Sequence, residues 1–206
     1  MNRGRLGLAV VGLTALVGGI AVGAPAASAK PKLLQKTYTN GVGGSQGGVP
    51  ISIPDGAGPA TQIVRSGISV KKLNPRGKIK DVNVGVRATH PFAADLEFYL
   101  ASPRGVIGLS SDNGGNGNNY GGLFASCAGQ FTLFDSNVPT LISAPGLQAS
   151  FAGSFAPEES LAILKGLGGK KATNATWTLL VEDDDPGHAT GTLDCWKLTI
   201  RETNPK

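Results

Sequence analysis

Residues 175–200, ATWTLLVEDDDPGHATGTLDCWKLTI, limit the possible folds more than any other part of this chain. Trp177, Leu179 and Val181 alternate along one stretch, and Trp196, Leu198 and Ile200 along another. Period-two alternation of aromatic and branched apolar residues marks a strand with one buried face. An acidic Gly/Pro loop containing residues 182–185, four acids in a row, separates the two strands. The segment holds both tryptophans and one of the two cysteines, so it is expected to anchor the core.

Other strands follow the same pattern. Val82, Val84 and Val86 share one face, and so do Leu96, Phe98 and Leu100. Shorter candidates lie at residues 61–70, 106–109, 131–135 and 148–155, and residues 157–165 suit a short helix or turn. Ser102-Pro103-Arg104-Gly105 is a turn, and residues 112–122 (DNGGNGNNYGG) form a loop whose Asn and Gly residues tolerate positive φ. No helical period extends beyond about ten residues after the N-terminal segment. Many short strands separated by Gly/Pro turns give an all-β fold, an antiparallel jelly roll or β-sandwich of about eight strands.

The chain is expected to be exported. Arg3 and Arg5 precede an apolar stretch of about 17 residues and an Ala27-Ser28-Ala29 site, the layout of a cleaved signal peptide rather than of a span. Residues 1–29 are therefore assigned to the signal, 30–48 to a flexible Gly-rich leader and 49–206 to the folded domain. Without its first 29 residues the chain has 177, enough for one domain with a core, and loses two arginines. Its charge is then +3, from 17 basic and 14 acidic residues. Lys71, Lys72, Arg76, Lys78 and Lys80 lack interleaved aromatics, so they are expected to be a solvated turn and not a nucleic-acid site. In an oxidising compartment the even cysteine count favours a Cys127–Cys195 disulfide across 68 positions. Such a bond is worth roughly 2–4 kcal/mol in the chain-entropy model.

Several motifs occur in a characteristic order. They are Ile53-Pro54-Asp55, Val82-Asn83-Val84, Thr89-His90, Asp95-Leu96 and Leu100-Ala101-Ser102-Pro103-Arg104-Gly105, then Phe134-Asp135. Phe151-Ala152-Gly153-Ser154-Phe155-Ala156-Pro157-Glu158 and Leu161 follow, then Trp177 to Asp183, Gly191-Thr192-Leu193 and Trp196-Lys197-Leu198. In this order they resemble the P domain (Homo B domain) of kexin- and furin-like proprotein convertases and of secreted bacterial proteases, from about residue 49 to 202. The resemblance implies an eight-stranded jelly roll that closes on a hairpin. It also implies a module that packs on a subtilisin-like catalytic domain and supports its stability. Ala189 stands where the family often has Asp, and residues 120–130 look inserted. The resemblance does not itself imply the disulfide.

The chain carries no subtilisin-type nucleophile context, no G-x-S-x-G elbow and no zinc-binding cluster. A link to serine endopeptidase activity would come through whole convertases, so the expected function is a secreted, non-catalytic accessory module. A secreted subtilisin-like protease or another extracellular protein is the expected partner, with neither nucleic acid nor membrane involved after signal cleavage. His90 is expected to make structural hydrogen bonds, and His188 to be solvated. Calcium is the plausible cofactor, at strand ends carrying Asp95, Asp112 and Asp135, expected to converge on one rim. A rival class is a carbohydrate- or surface-binding module, which would require exposed aromatics, with Tyr99 and Tyr120 as candidates.

Overall fold

A computed structural model describes residues 32–41, 48–56, 63–122, 127, 129–187 and 189–205. The signal segment and His188 lie outside the described residues. The described part is a two-sheet β-sandwich with ten strands, two more than expected. One sheet contains β1 (Lys32–Gly41), β2 (Ile51–Ile53), β4 (Ile79–Thr89), β7 (Thr132–Phe134), β8 (Gly153–Phe155) and β10 (Gly191–Asn204). Its order is β1-β10-β4-β7-β8, with β2 pairing the start of β10. The other sheet has β3 (Val64–Ser69), β9 (Thr176–Asp183), β5 (Leu96–Ser102) and β6 (Gly105–Ser110), in that order. All pairings between strands are antiparallel except β7 with β8.

Alternation places the core. Trp177, Leu179 and Val181 on β9 face Trp196, Leu198 and Ile200 on β10 from the opposite sheet, and all six are fully buried. The valines of β4 and the apolar triplet of β5 are buried on the same inner surfaces. Phe98, Tyr120, Phe151 and Phe155 continue the core as a chain of ring contacts at 4.6, 5.0 and 5.6 Å. The sheets are also joined by a polar bridge: Trp196 Nε1 donates to Ser66 Oγ at 3.0 Å, and Asn40 Nδ2 donates to the same oxygen at 2.8 Å. A buried indole that keeps its N–H paired adds direction to apolar burial.

Three expectations are corrected. First, the closing strands are not a hairpin. β9 pairs β3 and β5, whereas β10 pairs β1, β2 and β4. Each strand presents a tryptophan inward, so both bury their apolar faces by lying across the core from one another. The acidic loop is a crossover. Second, the expected leader is structured over residues 32–41: β1 pairs β10 through a ten-residue register from Lys32↔Asn204 to Gly41↔Cys195. Backbone pairing to a long neighbouring strand orders a segment whose side chains alone are too polar to build a core. Third, Tyr120 is buried in the ring cluster, with its hydroxyl 2.8 Å from Ser110 Oγ, and Tyr99 is only partly exposed, with its hydroxyl on Glu97. Neither offers an open stacking platform.

The basic residues at 71, 72, 76, 78 and 80 are all exposed, as expected of a solvated turn. In the Asn/Gly loop, Asp112, Gly114, Gly115, Asn119 and Gly121 all have positive φ. Trp196→Ala is expected to cost about 3–5 kcal/mol in chemical denaturation, because it opens a cavity where the two sheets meet. Trp196→Phe should cost less, while still leaving the Ser66–Asn40 bridge one partner short.

Candidate metal centre

The last residues of β4 and β9 come together at one rim. His90 follows β4 and is buried, with Nε2 3.0 Å from Asp183 Oδ2 and 3.1 Å from Ala189 O. Its Nδ1 lies 2.5 Å from Phe92 O and accepts from Phe92 N–H at 3.2 Å. Both ring nitrogens are thus engaged by neighbouring backbone and carboxylate groups, which gives His90 a structural hydrogen-bonding role. The backbone N–H of His90 donates to Asn119 Oδ1 at 2.9 Å, and Asn119 N–H returns a bond to His90 O at 3.0 Å. The Asn/Gly loop is in this way folded over the histidine.

Two groups of candidate metal-ligating side chains meet here. His90, Asp95 and Asp183 form a buried group; Glu97, Asp112 and Asp184 form a more exposed one. In each group the ligand atoms lie within 4.8 Å of one another. The groups adjoin through consecutive residues of β9 and its loop, and Asp184 N–H donates to Asp95 O at 3.2 Å. Burial raises the Asp183 carboxyl above its ordinary range; the His90 contact opposes that shift and the Asp95 charge adds to it. The Asp185 N–H eases the charge, while Asp183 Oδ1 is buried with no side-chain partner. Asp184 is also raised, first by desolvation and then by Glu97 and Asp112.

All three side chains of the outer group are carboxylates, and the single Ser111 hydroxyl lies 2.9 Å from Glu97 and 3.1 Å from Asp112, able to donate to one of them at a time. Closely spaced oxygen donors suit a hard cation such as calcium. The expected ligand trio is corrected in part. Asp95 and Asp112 reach this rim, in separate groups. Asp135 lies on the outer face of the six-stranded sheet, where Asn83 Nδ2 donates to it at 3.2 Å and Asn137 N–H at 2.8 Å. It caps the turn after β7, and its oxygens are taken up by those amides. Glu97 was missed because it sits in an alternating strand whose polar positions read as plain solvent contacts. Asp184 was visible only as part of the acidic run.

The two cysteines are neighbours. Cys195 lies opposite Gly41 in the β1–β10 ladder, and a Cβ on Gly41 would overlap both Cys127 Sγ and Cys195 Cβ. In the thiol form, burial, followed by a hydrogen bond with Cys127, pushes the Cys195 pKa well up. Beside them, Arg87 is buried, with its guanidinium donating to Gly122 O at 2.8 Å and Gln130 O at 3.2 Å, and with Nε unpaired. No sequence pattern singled out this arginine.

No family model matches the chain, and no curated protein sequence matches it. Solved structures similar to it include two of one protease. One is the serine protease of Aeromonas sobria, at 16% identity and TM-score 0.40; the other is that protease in complex with the chaperone ORF2, at 17% identity and TM-score 0.40. Each match covers 85% of this chain and 28% of the other, so this chain spans just over a quarter of the length of those it resembles.

The raised carboxyls fix the sign of a pH effect. A folded-state value above the ordinary 3.8 means the folded chain binds the proton more tightly than the unfolded chain does. Stability is therefore expected to fall, in chelator, as pH rises from about 4 through the raised values of Asp183 and Asp184. Asp184→Asn should flatten that fall, a change that melting curves across pH would detect.

Proposed function

We propose that this chain is a secreted, non-catalytic accessory module that binds and stabilises a subtilisin-like serine protease. The observation that carries the reading is where the P-domain-like motifs fall in the fold. Ser102-Pro103-Arg104-Gly105 makes the tight β5–β6 turn, with Gly105 at φ 124°. Leu96, Trp177, Val181, Gly191 and Trp196 are buried at the seam of the two sheets, and His90, Asp95 and Asp183 converge at one rim. Motifs far apart in sequence thus serve a single architecture. His90 supports the non-catalytic part of the reading, because its ring nitrogens serve backbone and carboxylate oxygens rather than a hydroxyl or thiol.

Two chemical features belong to the same reading. Export brings Cys127 and Cys195 into an oxidising compartment, where the adjacent thiols form a disulfide that ties the segment between β6 and β7 to β10 beside the end of β1. Calcium bound by Glu97, Asp112 and Asp184, close to the half-satisfied Asp183, offsets their mutual repulsion. Intact mass should rise by two hydrogens on reduction; an unchanged mass would sink the disulfide. Millimolar calcium should raise the melting temperature relative to chelator, and Asp184→Asn should shrink the difference.

Immobilised chain exposed to the culture fluid of its own source is expected to retain a protein that reacts with a fluorophosphonate serine-hydrolase probe and has a subtilisin-type sequence. Peptide turnover or probe labelling by the purified chain itself would defeat the proposal.

A further inference from the structure

The outer face of the six-stranded sheet carries a hollow of about 520 Å³, away from the acidic rim. Its floor follows from the strand register. Gln35, Arg201 and Asp81 form one cross-strand row, Thr37, Thr199 and Asn83 the next, and Thr39, Lys197, Gly85 and Leu133 a third. Lys197 is the unusual member. Its stem lies flat across Gly85, where an added Cβ would be 2.7 Å from Lys197 Cε and 2.8 Å from Cγ. Its ammonium sits 3.9 Å from the centre of the Phe131 ring.

Among the described residues no carboxylate lies within 4 Å of this ammonium, or of the Arg201 and Lys80 side chains that line the same hollow. Burial lowers the Lys197 pKa, the direction expected of a cation partly stripped of water without a counter-charge. The two acids of the hollow are already engaged by an amide: Asn137 Nδ2 donates to both Asp81 and Asp135 at 2.8 Å. Asn83 keeps a buried Oδ1 with no donor.

A ligand that suits this surface must carry negative charge for Lys197 and must accept from Arg201 and Gln35. It must also meet the Asn83 side chain and lay apolar C–H faces on Leu33 and Leu133. A carboxylated pyranose does all of these things. A small inorganic anion would leave most of the volume empty. A peptide added as an extra strand would need a free sheet edge, whereas the central strands under the hollow, β10 and β4, are paired on both sides. We propose that this face binds an acidic oligosaccharide of the uronic-acid class, with Lys197 as its carboxylate anchor and Asn83 and Arg201 as flanking contacts. This site is independent of the protease partnership, and nothing in its test requires a protease.

The test is titration of the isotope-labelled, purified chain with trigalacturonate, followed by amide chemical shifts. Saturable shifts are expected along β4 and β10 around Asn83, Lys197 and Thr199. Lys197→Ala and, separately, Arg201→Ala should weaken binding roughly tenfold or more, as loss of a charged hydrogen bond does. Lys72→Ala, on the exposed basic turn, should leave binding unchanged. Maltotriose, the uncharged comparison, should bind roughly tenfold more weakly, or not measurably. Shifts centred elsewhere, no saturation, or an affinity insensitive to Lys197→Ala in a variant with the parent melting temperature would overturn the proposal. So would equal competition by a short polyglutamate peptide.

Discussion

The hydrogen bond between His90 and Asp183 is the point on which the rest of this structure turns. His90 follows a strand of one sheet and Asp183 ends a strand of the other, so the pair closes the sandwich at one rim. Both groups are buried, and removing either would strand a polar partner away from water, a loss typically larger than the net worth of the bond itself. The same histidine holds Asn119 through its backbone and so folds the Asn/Gly loop down. That loop brings Asp112 to Glu97 and Asp184. The acidic rim is thus a consequence of how the sheets are tied.

The chain passes between the sheets at most of its connections. Strands β2 and β3, β3 and β4, β4 and β5, β6 and β7, β8 and β9, and β9 and β10 each lie in opposite sheets, and only β5 and β6 form a simple hairpin. Crossovers of this kind interlock the two layers, so that strands distant in sequence share one core. The jelly-roll character follows from that pattern and from the two inward-facing tryptophans.

Much of this was legible in the residues. Alternation named the buried faces of β4, β5, β9 and β10 correctly, because a half-buried strand leaves a period-two trace. Alternation is silent about which strands pair, and for that reason the closing strands could be taken for a hairpin. It is equally silent about β1, whose order comes from backbone pairing and not from a hydrophobic face. Arg87 escaped notice because β4 is covered on both faces near its end, where residues around Gly122 and Gln130 lie over it. The acids were visible, but their grouping was not. Asp135 is separated from Asp95 by its place in the opposite sheet, and Glu97 joins Asp112 only through the β5–β6 pairing and the loop that follows it.

The molecule therefore has two chemically distinct surfaces: a rim of closely spaced carboxylates, and an open sheet face with uncompensated cations. The most direct measurement is the thermal inactivation rate of a subtilisin-like protease from the same source, the proposed partner, with and without an equimolar amount of the purified chain. The account predicts a slower loss of protease activity when the chain is present, and a return to the original rate with a His90→Ala variant whose rim is disrupted. Identical inactivation curves with and without the intact chain would contradict it.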